Sequence, residues 1–208
     1  MNRPFGRIIS VFFFILSFLC SFSLAAEEPD SDNTPCQVET SLWMIANLFP
    51  DPGDFYQLSL GYRLDEKNVL FLNGMTWKYS APLGIPLYGP SFESPGEDYP
   101  GYVRAFGLGV GYQRFIWKGL FASFYATPFL QNFYTSDNHF INSGFQLFLQ
   151  MQLGYQVDLF KGRLYLKPAL SFNYWPVNTN FPDTFQQKEE SWPKYQLFEP
   201  HLNIGFSF

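Results

Sequence analysis

The stretch Phe145–Phe160 restricts what this chain can fold into more than any other. Phe145, Leu147, Leu149, Met151, Leu153, Tyr155, Val157 and Leu159 share one parity. Gln146, Phe148, Gln150, Gln152, Gly154, Gln156 and Asp158 share the other. Side chains of a strand alternate faces with a period of two, so this is a strand with one apolar face and one polar face. In a dry soluble core the glutamines would need partners, and each orphaned amide would cost about 1–3 kcal/mol. A barrel standing in lipid removes the conflict: the polar parity fills a hydrogen-bonded lumen and the apolar parity meets hydrocarbon.

The same alternation recurs. In Arg163–Pro176, Leu164, Leu166, Leu170, Phe172 and Tyr174 oppose Arg163, Tyr165, Lys167, Ser171, Asn173 and Trp175. In Phe55–Leu64, Tyr56, Leu58, Leu60 and Tyr62 oppose Gln57, Ser59, Gly61 and Arg63. In Tyr102–Phe115 the inward parity is Ala105, Gly107, Gly109, Gly111 and Gln113, which leaves room for Phe121, Tyr125 and Phe129. With Glu39–Phe49, Val69–Tyr79, Leu120–Tyr134 and Gln196–Phe208 this gives eight expected strands and no helix, although Glu39–Phe49 and Val69–Tyr79 alternate poorly. Most are long enough to cross a bilayer at a tilt. Short turns at Asp65–Asn68, Ile116–Gly119 and Lys161–Gly162 alternate with long loops at Ser80–Gly101, Thr135–Gly144 and Val177–Tyr195; only Pro50–Asp54 is short where a long loop is due. Aromatic residues make up 21% of the chain, and Trp77, Tyr79, Tyr102, Tyr112, Trp117, Tyr134 and Tyr174 stand near strand ends, as interfacial girdles do. The expected fold is all-β: an eight-stranded antiparallel up-and-down transmembrane β-barrel, whose interior side chains fill. A soluble lipocalin-like barrel would place the apolar parity inside; strand length and loop asymmetry argue against it.

The last stretch, Glu199–Phe208, places Leu202, Ile204, Phe206 and Phe208 opposite His201, Asn203, Gly205 and Ser207 and stops on the aromatic. It resembles the closing strand of bacterial outer-membrane β-barrels, whose assembly machinery reads that terminus. Asn173–Phe208, with Y-W-P-V-N-T-N-F-P and W-P-K-Y-Q-L-F-E-P, is similar to the tail of a family of small, functionally uncharacterised outer-membrane barrels. The resemblance implies an outer-membrane protein of a Gram-negative bacterium with periplasmic termini, and no activity.

Residues 1–26 carry Arg3 and Arg7, the apolar run Ile8–Leu24 and the small residues Ser23, Ala25 and Ala26, the layout of a secretory signal peptide. An uncleaved anchor, or a lipoprotein signal at Cys20, fits less well: the run is short for a span, and Phe18 and Leu19 are bulky. Residues 27–38 read as a disordered acidic leader and 39–208 as the barrel. Removing 1–26 takes two arginines and no acid, moving the net charge from −5 to −7. That leaves no electrostatic pull on nucleic acid. Cys36 remains without an internal disulfide partner.

Chemistry is sparse. His139, in T-S-D-N-H-F-I-N-S-G with Ser143, resembles in position the histidine of lipid A deacylases, eight-stranded barrels with a Ser-His-Glu triad. In that family the serine lies two residues after the histidine, where this chain has Ile141, and no Glu follows on the next strand. His201 on the inward parity, with Glu199, Ser171 and Lys167, reads as a polar lumen cluster, structural by default. No metal-ligand spacing and no phosphate loop occurs, so no cofactor or metal is expected. Tyr88, Phe92 and Tyr99 in one long loop, and Phe181, Phe185 and Trp192 in another, are candidate contact residues. The partners expected are outer-membrane lipid (lipopolysaccharide and phospholipid) and a protein of the envelope. The expected role is a non-enzymatic accessory or binding subunit. The alternatives are a lipid-modifying enzyme acting through His139, and a conduit for small apolar molecules with a lateral opening at Pro128 or Pro168, which interrupt ladder bonding.

Overall fold

The computed structural model describes residues 35–48, 54–84, 99–159 and 163–208. The expected loop residues Tyr88 and Phe92, the signal peptide and most of the leader lie outside them. Nine antiparallel strands form one sheet: β1 (Cys36–Ser41), β2 (Tyr56–Arg63), β3 (Asn68–Tyr79), β4 (Gly101–Trp117), β5 (Leu120–Thr135), β6 (Phe140–Tyr155), β7 (Val157–Leu159), β8 (Leu164–Thr179) and β9 (Tyr195–Ser207). Each strand pairs with its sequence neighbours except that β6 and β7 both pair with β8 and not with each other, and β1 also pairs with β9, which closes the ring. Past one shift at Leu147/Leu149, β7 continues the pairing of β6 with β8 in the same register, Gly154↔Ala169 to Val157↔Leu166, so the two are a single stave and the ring has eight.

The wall is apolar and the lumen largely polar, the reverse of a soluble protein. Leu60, Leu70, Leu72, Phe106, Leu108, Val110, Phe124, Leu130, Met151, Leu153 and Leu170 are exposed on the outside. Gln57, Ser59, Asn73, Gln113, Ser123, Gln131, Gln146, Gln150, Gln152, Lys167, Ser171 and Asn173 are buried inside. The inward set expected for β6 and β8 is therefore found inside, apart from Asp158, exposed at the stave's end, and Arg163 and Gly154, half-buried. The β4 glycines make room as expected: a Cβ on Gly111 would lie 2.2 Å from Cδ1 of Tyr125, and one on Gly107 2.6 Å from Cε1 of Phe129.

The chain departs from expectation at four places. The first stave is β1 alone, beginning at Cys36 and not Glu39; its backbone N–H donates to the Phe208 carbonyl at 3.2 Å and that of Phe208 returns to Cys36 at 2.9 Å. Beyond Ser41 the expected strand becomes a 3-10 helix, Leu42–Leu48, because L-W-M-I-A-N-L is apolar on both parities and supplies no inward polar set. The expected long loop Thr135–Gly144 is a tight turn: β6 starts at Phe140, and the Asn138 N–H closes on the Thr135 carbonyl at 3.0 Å with Asn138 at φ 63°. The loop Val177–Tyr195 contains an α-helix, α1 (Asp183–Glu190), although no helix was expected.

Pro128 and Pro168 open no gap. Pro128 pairs with Leu147 and Pro168 with Leu202. On its other side each leaves two register pairs unmade, and the register resumes unchanged past them, Gly107↔Phe129 to Val110↔Ala126 in one case and Gly154↔Ala169 to Val157↔Leu166 in the other. A missing N–H is tolerated where neighbouring rungs hold the strands together.

Candidate functional site

The lumen is built in layers. Near the short-turn end, Nζ of Lys167 donates to Oε2 of Glu39 at 2.6 Å and to Oε1 of Gln113 at 3.0 Å. The hydroxyl of Tyr165 donates to the same carboxylate oxygen at 3.3 Å. Lys167 is 1% exposed and Glu39 3%, so the ion pair is dry. Rings of Tyr165, Phe71 and Phe121 surround the ammonium at 4.9, 5.0 and 5.6 Å, distances at which a ring face attracts a cation. At this end a hollow of about 470 Å³, lined by Arg63, Glu66, Lys118 and Asp158 among others, opens to the outside.

The expected cluster of Lys167, Ser171, Glu199 and His201 divides into three. Lys167 belongs to Glu39. Glu199 accepts from the side chains of Asn173 and, at 3.3 Å, Ser171, which faces it in register. His201 faces Ala169, not Ser171, and neither of its ring nitrogens has a hydrogen-bond partner. Above, amides and hydroxyls bond to one another: Gln152 to Gln150 at 2.9 Å, Gln150 to Asn173 at 3.0 Å and Ser59 to Asn73 at 2.9 Å.

The long-loop end is plugged with aromatic rings. Trp77 stacks on Phe129 at 5.4 Å and Phe148 on Trp175 at 6.1 Å. Over them α1 inserts Phe185, fully buried, edge-on to Phe133 at 5.1 Å and to Tyr99 at 5.2 Å. Phe181 packs on Phe133 at 4.7 Å. The Tyr99 hydroxyl donates to Oε1 of Glu189 at 3.0 Å. Burial pushes the Glu189 carboxyl up to about 7, opposed by the Tyr99 hydroxyl and the Leu83 N–H, and burial raises the Tyr99 phenol. Of the loop candidates, Tyr99, Phe181 and Phe185 thus form the cap, while Trp192 lies half-exposed just past α1.

His139 is exposed on the β5–β6 turn, where its backbone N–H donates to the Thr135 hydroxyl at 3.1 Å. The Ser143 hydroxyl donates to Asn132 at 2.6 Å, its register partner. No hydrogen bond joins His139 to Ser143. Among the described residues no three His, Cys, Asp or Glu side chains gather where they could hold a metal ion.

Among the described residues the wall has one seam. β1 pairs with β9 only over Gln37–Ser41 and Asn203–Ser207, and with β2 only over Cys36–Glu39 and Ser59–Tyr62. Among the described residues the long-loop half of β9, from Leu202 back to Tyr195, has no strand on its β1 side. The 3-10 helix lies there instead, with Trp43, Ile45 and Leu48 exposed outward. The Trp43 indole N–H donates to the Pro200 carbonyl at 3.0 Å, Thr40 to the Gln57 carbonyl, and Asn47 to the Phe55 carbonyl at 2.6 Å. Leu42, Trp43, Pro200, His201 and Leu202 line a pocket of about 240 Å³ at this seam. Glu39 and Trp43 were missed as site residues because their segment hides its facing; Pro200, a proline just before His201 in an alternating strand, was the readable signal of an unpaired edge.

A closed ring of eight antiparallel staves, polar within and apolar without, defines a transmembrane β-barrel, here with a filled lumen. No family model matches the chain, and no curated protein matches it. The crystal structure of Neisserial surface protein A is similar over 83% of this chain and 93% of its own, with a TM-score of 0.41 and 12% identity. What puts the chain in its class is its own wall and lumen.

Proposed function

We propose that this chain is an integral outer-membrane barrel with periplasmic termini, a signal peptide over 1–26 and a short acidic leader, acting as a non-enzymatic binding or accessory subunit of the envelope. The observation that carries the reading is the filled interior. Phe185 and its aromatic neighbours cap one end and the Lys167–Glu39 layer fills the other, so the work falls to the loops and the lipid-facing wall. The Ser143 hydroxyl, held by Asn132 and not by His139, favours binding over hydrolysis.

Extraction from native membranes in mild detergent, followed by sizing and mass spectrometry, tests this. A stoichiometric companion protein is expected. A lone monomer-sized particle, with His139→Ala changing the acyl pattern of lipid A or phospholipid, would replace the binding role with an enzymatic one.

A further inference from the structure

We propose that the seam between β9 and β2 is a lateral binding site for a lipophilic molecule with an aliphatic tail and a neutral hydrogen-bonding head, a hydroxyl or carbonyl, received by His201. This rests on the wall standing in a bilayer and not on any protein partner.

His201 is 7% exposed, and neither ring nitrogen makes a hydrogen bond of good geometry; the one side chain that approaches it is Asn203, next on the same parity, which leaves at least one nitrogen for a ligand. It shares its pocket with the apolar side chains of Leu42, Trp43, Pro200 and Leu202. Leu202 and Trp43 are themselves part of the exposed outer wall, so the pocket is continuous with the lipid-facing surface. Only molecules dissolved in the bilayer can reach it from there. At about 240 Å³ it is smaller than the ~300–1,000 Å³ of sites that enclose drug-sized ligands. It therefore takes a head and the first part of a tail, and the remainder lies against Ile45 and Leu48.

The charge of the head follows from the neighbours. Glu199 is on the same β9 parity, two residues away, and Glu39 stands on the neighbouring β1 opposite Gly205, its side chain buried in the same lumen. Lys167, the nearby cation of that lumen, is already bonded to Glu39. An anionic head would meet two carboxylates and no free cation of this cluster. A hydroxyl or carbonyl can bond to imidazole without adding charge.

The backbone at this place fits a binding role. Phe198 has φ 59°, a left-handed conformation that a bulky residue adopts only under constraint, at the register shift of β8 against β9 beside Glu199.

The test uses the full-length protein in vesicles of phosphatidylethanolamine and phosphatidylglycerol, with a long-chain alcohol bearing a diazirine near its hydroxyl. The matched fatty acid and matched hydrocarbon serve as comparison probes, and adducts are mapped by mass spectrometry. Alcohol adducts are expected to concentrate on Leu42–Leu48 and Pro200–Leu202, above those of acid or hydrocarbon. His201→Phe, which keeps a ring and removes both nitrogens, should lower seam labelling about 2- to 12-fold, the span of one net hydrogen bond. Leu202→Trp fills the pocket from the lipid side without touching the lumen and should abolish it. Heat-dependent gel migration confirms that both variants are folded barrels. Adducts spread evenly over Leu108, Val110 and Met151 as well would overturn the proposal, as would equal labelling by alcohol and hydrocarbon, or a companion protein cross-linked to Leu42–Leu48. A missing companion in the extraction experiment removes the subunit role and leaves this site; even labelling does the reverse.

Discussion

Breaking the Lys167–Glu39 pair from one side should damage this barrel far more than removing it altogether. At 2.6 Å the two charges attract by about 6 kcal/mol at an effective dielectric of about 20. Stripping water from both ions costs several kcal/mol each, so the pair as a whole stabilises the fold little. Glu39→Leu leaves the ammonium with Gln113 and three aromatic rings but no counter-charge, and about 3–5 kcal/mol should be lost. Lys167→Met strands the carboxylate with the Tyr165 hydroxyl, at a similar loss. The double variant should stand within about 1 kcal/mol of the parent or exceed it, because apolar side chains of similar volume fill a dry site without the desolvation term. The coupling between the two sites, about 5 kcal/mol or more, is the decisive quantity. Equilibrium urea unfolding in phospholipid vesicles, read by tryptophan fluorescence, measures it. Added salt should leave it unchanged, since the pair is out of reach of screening ions. Losses that simply add in the double variant, or a Glu39→Leu loss below about 1 kcal/mol, would show that water reaches the lumen and refute the sealed interior.

Further outcomes follow from the cap and the glycines. Phe185→Ala should unseat α1 and raise ion conductance in planar bilayers, where the parent should be nearly silent, with about 3–5 kcal/mol lost from the cap region. Glu189 sits near 7 when folded against an ordinary 4.5, so the native state holds its proton through that window. Stability from the neutral carboxyl is full below 4.5 and lost as pH rises through 7, by at most about 3 kcal/mol. Glu189→Gln should flatten that slope, and protease cleavage within Asp183–Glu190 measured across pH checks it. A Cβ on Gly109 would come 2.4 Å from the Ala126 carbonyl oxygen, backbone that cannot step aside, while one on Gly74 meets nothing closer than 3.8 Å. Gly109→Ala should cost about 1–3 kcal/mol in urea unfolding and Gly74→Ala close to nothing; equal losses would show that crowding is not the cause.

The alternation rule read the barrel wherever lipid and lumen both press on the strand. Gln146, Gln150 and Gln152, Tyr165, Lys167 and Asn173, and Gln57 and Ser59 are all inside as their parity required. It failed where one of the pressures lapses. At Asn142 and Ser143 the strand runs on above the apolar band, bonded to Asn180 and Asn132, and nothing in a polar sequence marks that it is still a strand. D-T-F-Q-Q-K-E-E holds one apolar side chain, Phe185, too few to show a helical period. Lys167 was legible as a lumen residue but its partner was not, because Glu39 begins the segment whose later residues are apolar on both parities.

That segment accounts for more than a misread strand. Unpaired backbone in hydrocarbon costs several kcal/mol per group, so a barrel that drops half a stave must answer for each rung. In an antiparallel strand a residue's N–H and C=O point to the same side, and Pro200 has no N–H to leave unpaired on the side where its carbonyl meets Trp43. Thr40 and Asn47 take the Gln57 and Phe55 carbonyls with side chains. These are substitutes for a ladder that a longer β1 would have supplied with backbone alone. His201 is not answered in this way: beside the repaired edge its ring nitrogens make no hydrogen bond of good geometry, and neither does the Gln37 amide of β1. Other buried amides round the ring, on Gln57, Gln113, Gln131 and Gln146, also leave an atom unbonded, but at this seam the short β1, the left-handed Phe198 and the unpartnered His201 stand side by side. What sets the seam apart is the pocket beside the shortened stave: there alone among these features an unbonded imidazole adjoins a hollow continuous with the lipid-facing wall, where a ligand can complete it.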